Sequence, residues 1–434
     1  MAPGKDPHRL IVKLNEGQNL RFDGAQVSGP HPLIELNGLL AGSEPLFTRS
    51  AVSLRNSKRP GLADLSLYRV LHTVDAIAVG NQLLRLPSVE TAYLASTPVP
   101  PPADIPPVTA DFSAEQTYGQ PGPEGFGFDV ARGWPGGDGA NVTIADIEYG
   151  FDPDHEDLAE VDILSIGEDH DWYQFHGNGV LGMLASPDNG YGVTGLVTGA
   201  EFLMVSPFVS EDFYNVADAI DLAAAHMTAG DVLLIEQQGW VDDVYTPVEV
   251  DAAVFDAIAT AVGAGITVIE PAGNGACDLD DPIWDGAFDS TERDSGAIIV
   301  GGGASPFSGL TPRSYHPLGS CFGDRVDVQG WFDHITTLSA ADGAPSYTDL
   351  FYPEHDGRQA YTALFGGTSG AAPMVAAIAA VMNSVAIETR GEAWDPWDLR
   401  DAIRSTGHPQ TGDASKAIGS QPDLRRLLRT YGVR

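Results

Sequence analysis

Four side chains of this sequence, Asp146, His176, Asn274 and Ser369, matter chemically only if the fold brings them together. A serine hydroxyl is a weak nucleophile near neutral pH. It needs an imidazole to take its proton, a carboxylate to orient that imidazole, and donors for the oxyanion formed on attack. Imidazole suits the task because it titrates near neutrality. All four residues stand at junctions. Asp146 is near the end of the apolar run NVTIADI (141–147), and His176 precedes the Gly-rich turn of QFHGNGVLGMLAS (174–186). Asn274 lies between two glycines after GITVIEPA (265–272), and Ser369 opens the apolar stretch of LFGGTSGAAPMVAAIAAVMNS (364–384). Each has a plainer alternative. Asp146 can bind its own loop backbone, His176 can be structural, Gly-Asn-Gly is a good turn, and Ser369 can be a helix N-cap. Their joint order, Asp–His–Ser, weighs against the alternatives. An α/β-hydrolase runs Ser–Asp–His with G-x-S-x-G, and here Ala371 takes the second glycine position.

The elements that must position these residues show in the texture of the chain. Short apolar runs rich in β-branched residues occur at 141–147, 200–207, 231–238, 265–272 and 296–302. Helical patterns lie between several of them, at 177–186, 215–230 and 250–265. That alternation predicts an α/β domain, a parallel sheet covered by helices on both faces, with its chemistry at the carboxyl ends of the strands. The segment after Ser369 is apolar on nearly every face, which predicts a buried helix with Pro373 in its first turn. Residues 1–95 read as a small α+β unit. It has a strand at 9–14, helical spacing of Leu65, Tyr68, Leu71 and Val74 over 63–76, and a closing strand within 83–95. The Pro-rich stretch 96–112 reads as extended linker, giving a division into 1–95, a linker at 96–124, and a main domain at 125–434.

The formal net charge is −37, from 23 Lys and Arg against 60 Asp and Glu. Nucleic-acid binding wants a basic face, so that class is excluded as the main expectation. No run of 18 or more apolar residues is evident, so no membrane span is expected. The start of the chain lacks the layout of a signal peptide. Cys277 and Cys321 allow either one disulfide or two thiols.

The motifs resemble the subtilisin-like serine peptidases, the subtilases. GGTSGAAPMVAA is similar to the family's nucleophile block, HGNGVLGMLASPDNGYGVTGL to its histidine block, AGNG to its oxyanion block and IADIEYGFDPDHEDL to its aspartate block. The resemblance implies a subtilisin-like fold preceded by a propeptide-like α+β domain. It implies a serine endopeptidase working through an acyl-enzyme. Ser369 is then the nucleophile, His176 the base and acid, Asp146 the orienting carboxylate, and Asn274 an oxyanion donor beside the Ser369 N–H. A non-catalytic peptide-binding protein on the same fold is the alternative. Gln237, Gln238 and Gly239 fall where the family pairs with extended substrate, and Pro271 and Ala272 where it lines a specificity pocket. No cofactor is implied for the chemistry. Structural calcium is implied at Asp157 and Asn189, with the Pro187, Tyr191 and Val193 carbonyls. Cys277 and Cys321 can join the loop 277–289 to 320–331. The implied partners are polypeptide substrates and the protein's own N-terminal domain as an inhibitor, and the implied location is extracellular. Two departures stand out. Asp146-Ile147-Glu148 replaces the family's D-S/T-G, placing a second carboxylate, Glu148, beside the orienting one. Gly179 stands where the family's H-G-T-H has its second histidine.

Overall fold

The structure is a computed structural model that describes residues 5–15, 20–29, 39–47, 67–96, 105–168, 172–210, 213–343 and 345–432. The chain divides into two compact units, Met1–Pro101 and Pro102–Arg434.

The first unit contains β1 (Lys5–Leu14), the hairpin β2 (Arg21–Asp23) and β3 (Gln26–Ser28), β4 (Leu40–Pro45), β5 (Tyr68–Thr73), α1 (Ala76–Leu83) and β6 (Val89–Ser96). Its antiparallel sheet runs β4-β5-β1-β6. Helix α1 begins where the Asp75 side chain accepts the Ala78 N–H at 2.9 Å. It buries Ala76, Val79 and Leu83 with Leu10, Val12 and Leu71. The helical spacing expected over 63–76 is corrected here: Tyr68–Thr73 is a strand, paired on one edge with β1 and on the other with β4. Two-sided ladder pairing outweighs the local spacing of Tyr68 and Leu71. Residues 63–66 lie outside the described residues.

The second unit is built on a seven-stranded parallel sheet. Its strands are β7 (Thr143–Ile147), β8 (Ile163–Ile166), β9 (Glu201–Val205), β12 (Val232–Ile235), β15 (Thr267–Pro271), β16 (Ile298–Gly303) and β17 (Val328–Trp331), ordered β17-β16-β15-β12-β7-β9-β8. Two small hairpins interrupt the series, β10 (Phe208–Ser210) with β11 (Phe213–Tyr214), and β13 (Gly239–Val241) with β14 (Val244–Thr246). On one face, Ile144, Met204 and Leu234 pack with α2 (Gln174–Leu184) and the long helix that carries Ser369. On the other, Ala145, Ile147, Leu233 and Ile235 pack against α3 (Val216–Ala224) and α4 (Ala252–Gly263). Burial on both faces explains why β7, β9, β12, β15 and β16 read as continuous apolar runs. A small antiparallel pair, β18 (Ile335–Leu338) and β19 (Tyr361–Phe365), leads into α5 (Thr368–Arg390). The helices α6 (Pro396–Thr406) and α7 (Leu424–Tyr431) close the unit.

Helix α5 is the core of this unit, buried from Thr368 through Ala386. Among the described residues it is the one helix long and apolar enough to cross a membrane, and it is spent inside the fold. Gly330 on β17 lets it approach: a Cβ there would sit 2.4 Å from the Ala371 carbonyl oxygen. The linker expectation is corrected at its C-terminal part. Phe112 and Tyr118 are buried in the same core, and the Gln359 side chain donates to the Ile105 and Pro107 carbonyls at 2.7 and 2.8 Å. Residues 97–104 lie outside the described residues.

Candidate active site

Ser369 is the second residue of α5. The helix is entered through Gly367 at φ 81°, ψ −177°, and no side chain caps it, so the N-cap alternative for Ser369 does not hold. The conformation at Gly367 explains the glycine. A Cβ there would be strained and would press within 3.3 Å of the Asn274 side chain. Pro373 is the sixth residue of the helix, one turn deeper than expected. Its missing N–H is the one that would bond the Ser369 carbonyl in a regular helix.

His176 lies in the first turn of α2, whose N-terminus is held by the Asp342 carboxylate accepting the Gln174 and Phe175 N–H groups at 2.8 and 2.9 Å. The Phe365 and His176 rings meet in a T-shaped contact at 5.7 Å between centroids. The imidazole Nδ1 is paired with Glu148 Oε2 at 2.5 Å, and Glu148 Oε1 accepts the Tyr149 N–H at 2.8 Å. Asp146, expected in that role, is corrected. It is 2% exposed, and neither carboxyl oxygen has a hydrogen-bond partner among the described residues.

The reason is strand geometry. Side chains two residues apart on a strand share a face, about 6.6 Å apart along it. Asp146 and Glu148 therefore point the same way, but Asp146 is level with Leu234 and Met204 inside the sheet. Glu148 follows the last strand residue, where α2 begins. Burial, then the Glu148 charge, holds the Asp146 carboxyl well above the usual carboxylate range. For His176, burial pulls the imidazole down, but the charge and hydrogen bond of Glu148 together outweigh it, so the net shift is upward. A signal for Glu148 was in the sequence: Glu148-Tyr149-Gly150 keeps the glycine of D-S/T-G, which Asp146-Ile147-Glu148 does not.

Asn274 follows β15 across Gly273, which takes φ 89°. Its side-chain oxygen accepts from the Thr368 N–H at 2.9 Å and the Thr368 hydroxyl at 3.1 Å. That fixes the amide and leaves its NH2 to donate elsewhere, one residue from Ser369. The Asn274 N–H is held by Gln238 Oε1 at 3.0 Å. Asn178 has a structural use, its amide donating to the Ser339 carbonyl at 2.7 Å and accepting the Asp152 N–H at 2.8 Å.

His176 and Ser369 line a cleft of about 670 Å³ with Glu236, Gln237, Gln238 and Pro271, walled by rings that include Tyr149, Phe208, Tyr214 and Trp240. Glu236, a group that sequence reading missed, is 4% exposed. The side chains of Gln237 and Gln238 are committed to the protein itself. Gln237 Oε1 accepts the Tyr214 hydroxyl at 2.8 Å, and Gln238 holds Asn274. Gly239 pairs with Thr246 in the β13–β14 hairpin, so at this point the edge expected to take substrate is already paired within the chain. Ala272 is fully buried with Leu279, Trp284 and Phe288, so its side chain does not line the cleft.

The residues named for calcium come together as a hydrogen-bonded cluster. Asp157 accepts the Asn189 side-chain NH2 and the Val193 N–H, each at 2.8 Å, while the Asn189 oxygen accepts the Tyr191 N–H at 3.2 Å. Calcium needs converging oxygens. Here Asn189 turns its nitrogen toward Asp157, and the two close a hydrogen bond in place of a pair of converging oxygens. Burial, against the Asn189 and Val193 hydrogen bonds, lifts Asp157 to about 7. Cys277 and Cys321 face each other with sulfurs 2.8 Å apart.

A search of the curated proteins finds no significant match. The chain is similar in structure to a protease from Pseudoalteromonas arctica PAMC 21717, at 18% identity and TM-score 0.53 over 74% of this chain and 98% of that one. It is also similar to fervidolysin from Fervidobacterium pennivorans, a keratinolytic enzyme related to subtilisin, at 17% identity and TM-score 0.52 over 99% of this chain and 62% of that one. A cold adapted subtilisin-like serine proteinase matches at 19% identity and TM-score 0.47, covering 66% of this chain and 90% of that one. The first two likenesses speak to the fold. The model of the subtilase family, Peptidase_S8, matches residues 139–425, and this protein therefore belongs to the subtilase family of serine peptidases.

Proposed function

We propose that the protein is a serine endopeptidase whose orienting carboxylate is Glu148. The observation that carries the reading is the Glu148–His176 pair opening on the cleft that also holds Ser369, with Asn274 fixed beside it by Thr368. In this reading the Ser369 hydroxyl attacks the peptide carbonyl and passes its proton to His176 Nε2. Glu148 holds Nδ1–H and stabilises the imidazolium, as the carboxylate of such a triad does. The Asn274 NH2 and the Ser369 N–H donate to the oxyanion, two fixed dipoles in a cleft of low polarity. His176 then protonates the leaving amine, and water releases the acyl group from Ser369.

The substrate enters the cleft beside Gln237 and Gln238 and meets its aromatic walls, while Pro271 borders the residue before the cleaved bond. The non-catalytic alternative rested on the altered aspartate block, and it loses that support once Glu148 takes the position. The propeptide-like fold of the first unit supports its role as an intramolecular inhibitor removed on maturation, in an extracellular enzyme. The reading predicts that a fluorophosphonate or phenylmethylsulfonyl fluoride labels Ser369, and that casein hydrolysis disappears in Ser369→Ala. Processed protein that neither labels nor cleaves would contradict it.

A further inference from the structure

Glu236 is left without a task by this mechanism. It follows β12, and the register that pairs Leu234 with Asp146 and Ile235 with Ile147 sets it level with Glu148 on the same sheet face. Its carboxyl is buried and lines the cleft beside His176 and Ser369. Neither oxygen makes a hydrogen bond of good geometry among the described residues, and the Ser369 hydroxyl is the polar group near enough to form one. The groups facing it are Asp146 and Glu148 from the end of β7 and the Ser369 hydroxyl from α5. Beyond Glu148 lie His176 on α2 and the hydroxyls of Tyr149 and Tyr214.

A buried carboxylate with no partner is costly, whereas the acid form carries one O–H to donate. Burial first, then the charges of Asp146 and Glu148, push Glu236 well above the usual carboxylate range. The Ser369 hydroxyl acts the other way. The serine oxygen is an acceptor, and its own proton must point to His176 for the chemistry to run.

We propose that Glu236 is a positioning residue that works as a neutral carboxylic acid, donating to the Ser369 oxygen so that the serine proton is left to His176. Ionised, Glu236 competes with His176 for that proton. It also places a second negative charge beside the oxyanion, which halts acylation. The proposal rests on the peptidase reading. It adds a second limb to the pH profile: activity rises as His176 loses its proton and falls as Glu236 loses its own.

The test is the pH profile of kcat and of kcat/KM, per active site titrated with a fluorophosphonate, for wild type, Glu236→Gln, Glu236→Met and Asp146→Asn. The wild type should fall about tenfold per pH unit on the alkaline side, the signature of one ionisation. Glu236→Gln keeps a donor and cannot ionise. It should hold kcat within about tenfold of wild type and lose the alkaline fall, while Glu236→Met, with no donor, loses more than about tenfold in kcat at unchanged KM. Asp146→Asn should keep the fall. A Glu236→Gln profile that superimposes on wild type would overturn the proposal, as would titratable Glu236→Gln sites that do not turn over. A wild type with no alkaline fall overturns it without any variant. A wild type that neither labels nor cleaves overturns the peptidase reading instead.

Discussion

At the scale of single residues, the site depends on which of two acidic side chains reaches the imidazole. Both face the same way off β7, and only the one past the strand end meets α2. Sequence reading found the right turn and the wrong carboxylate. Asp146 has the family's residue type, while Glu148 has the right distance from the glycine and one more methylene of reach. Ser369, His176 and Asn274 were legible because glycines and small residues mark their turns. Thr368 was not, since its hydrogen bonds to Asn274 depend on two loops far apart in sequence. Its hydroxyl bond makes a prediction. Thr368→Val should loosen the Asn274 amide and lower kcat by about tenfold to a hundredfold with little change in KM, below the 10²–10³ range for outright loss of such a donor. Steady-state kinetics on titrated enzyme would check it.

At the scale of elements, the parallel sheet announced itself through five apolar runs, because strands buried on both faces need no polar alternation, while the short strands β8 and β17 went unread. The helix at 63–76 was misread because β5 has helical spacing at two positions yet finds ladder partners on both sides. The Pro-rich stretch was misread for a related reason. Composition speaks for extended backbone, but it does not reveal that Gln359, far along the chain, would gather the carbonyls of Ile105 and Pro107. The Ser369 helix was read correctly as buried, and its entry incorrectly. Gly367 supplies the sharp turn, and Pro373 acts deeper, where it relieves the Ser369 carbonyl of a helical partner.

At the scale of the molecule, buried carboxyl groups set the response to pH. Asp146, Glu236 and Glu270 are all raised, chiefly by burial, and Asp157 reaches about 7 for the same reason. A raised carboxyl keeps its proton in the folded chain from about pH 4 upward, where the unfolded chain has released it. Stability therefore falls as pH rises through that window, by about 1.4 kcal/mol per proton and pH unit. His155 runs the other way. Burial pulls it down to about 4, so its contribution grows as pH rises from about 4 to about 6.5. Asp333, brought to about 2 by His316, Ser305 and His334 against its burial, protects the fold until strong acid. Asp152, Glu156, Asp280 and Asp327 are raised by burial as well, and the raised His176 acts in the same sense, so these groups outnumber His155. The lowered carboxyls act only below about pH 4, and a net charge of −37 repels itself less in mild acid. The urea midpoint should be higher near pH 5 than near pH 8, and a midpoint rising steadily to pH 8 would contradict this reading.

The central claim, that Glu148 and not Asp146 orients His176, is tested most directly by comparing kcat per titrated active site in Glu148→Gln and Asp146→Asn. The account predicts a loss of about 10³–10⁴ for Glu148→Gln, the scale set by a misoriented triad histidine, and less than about tenfold for Asp146→Asn. The reverse ranking would contradict it.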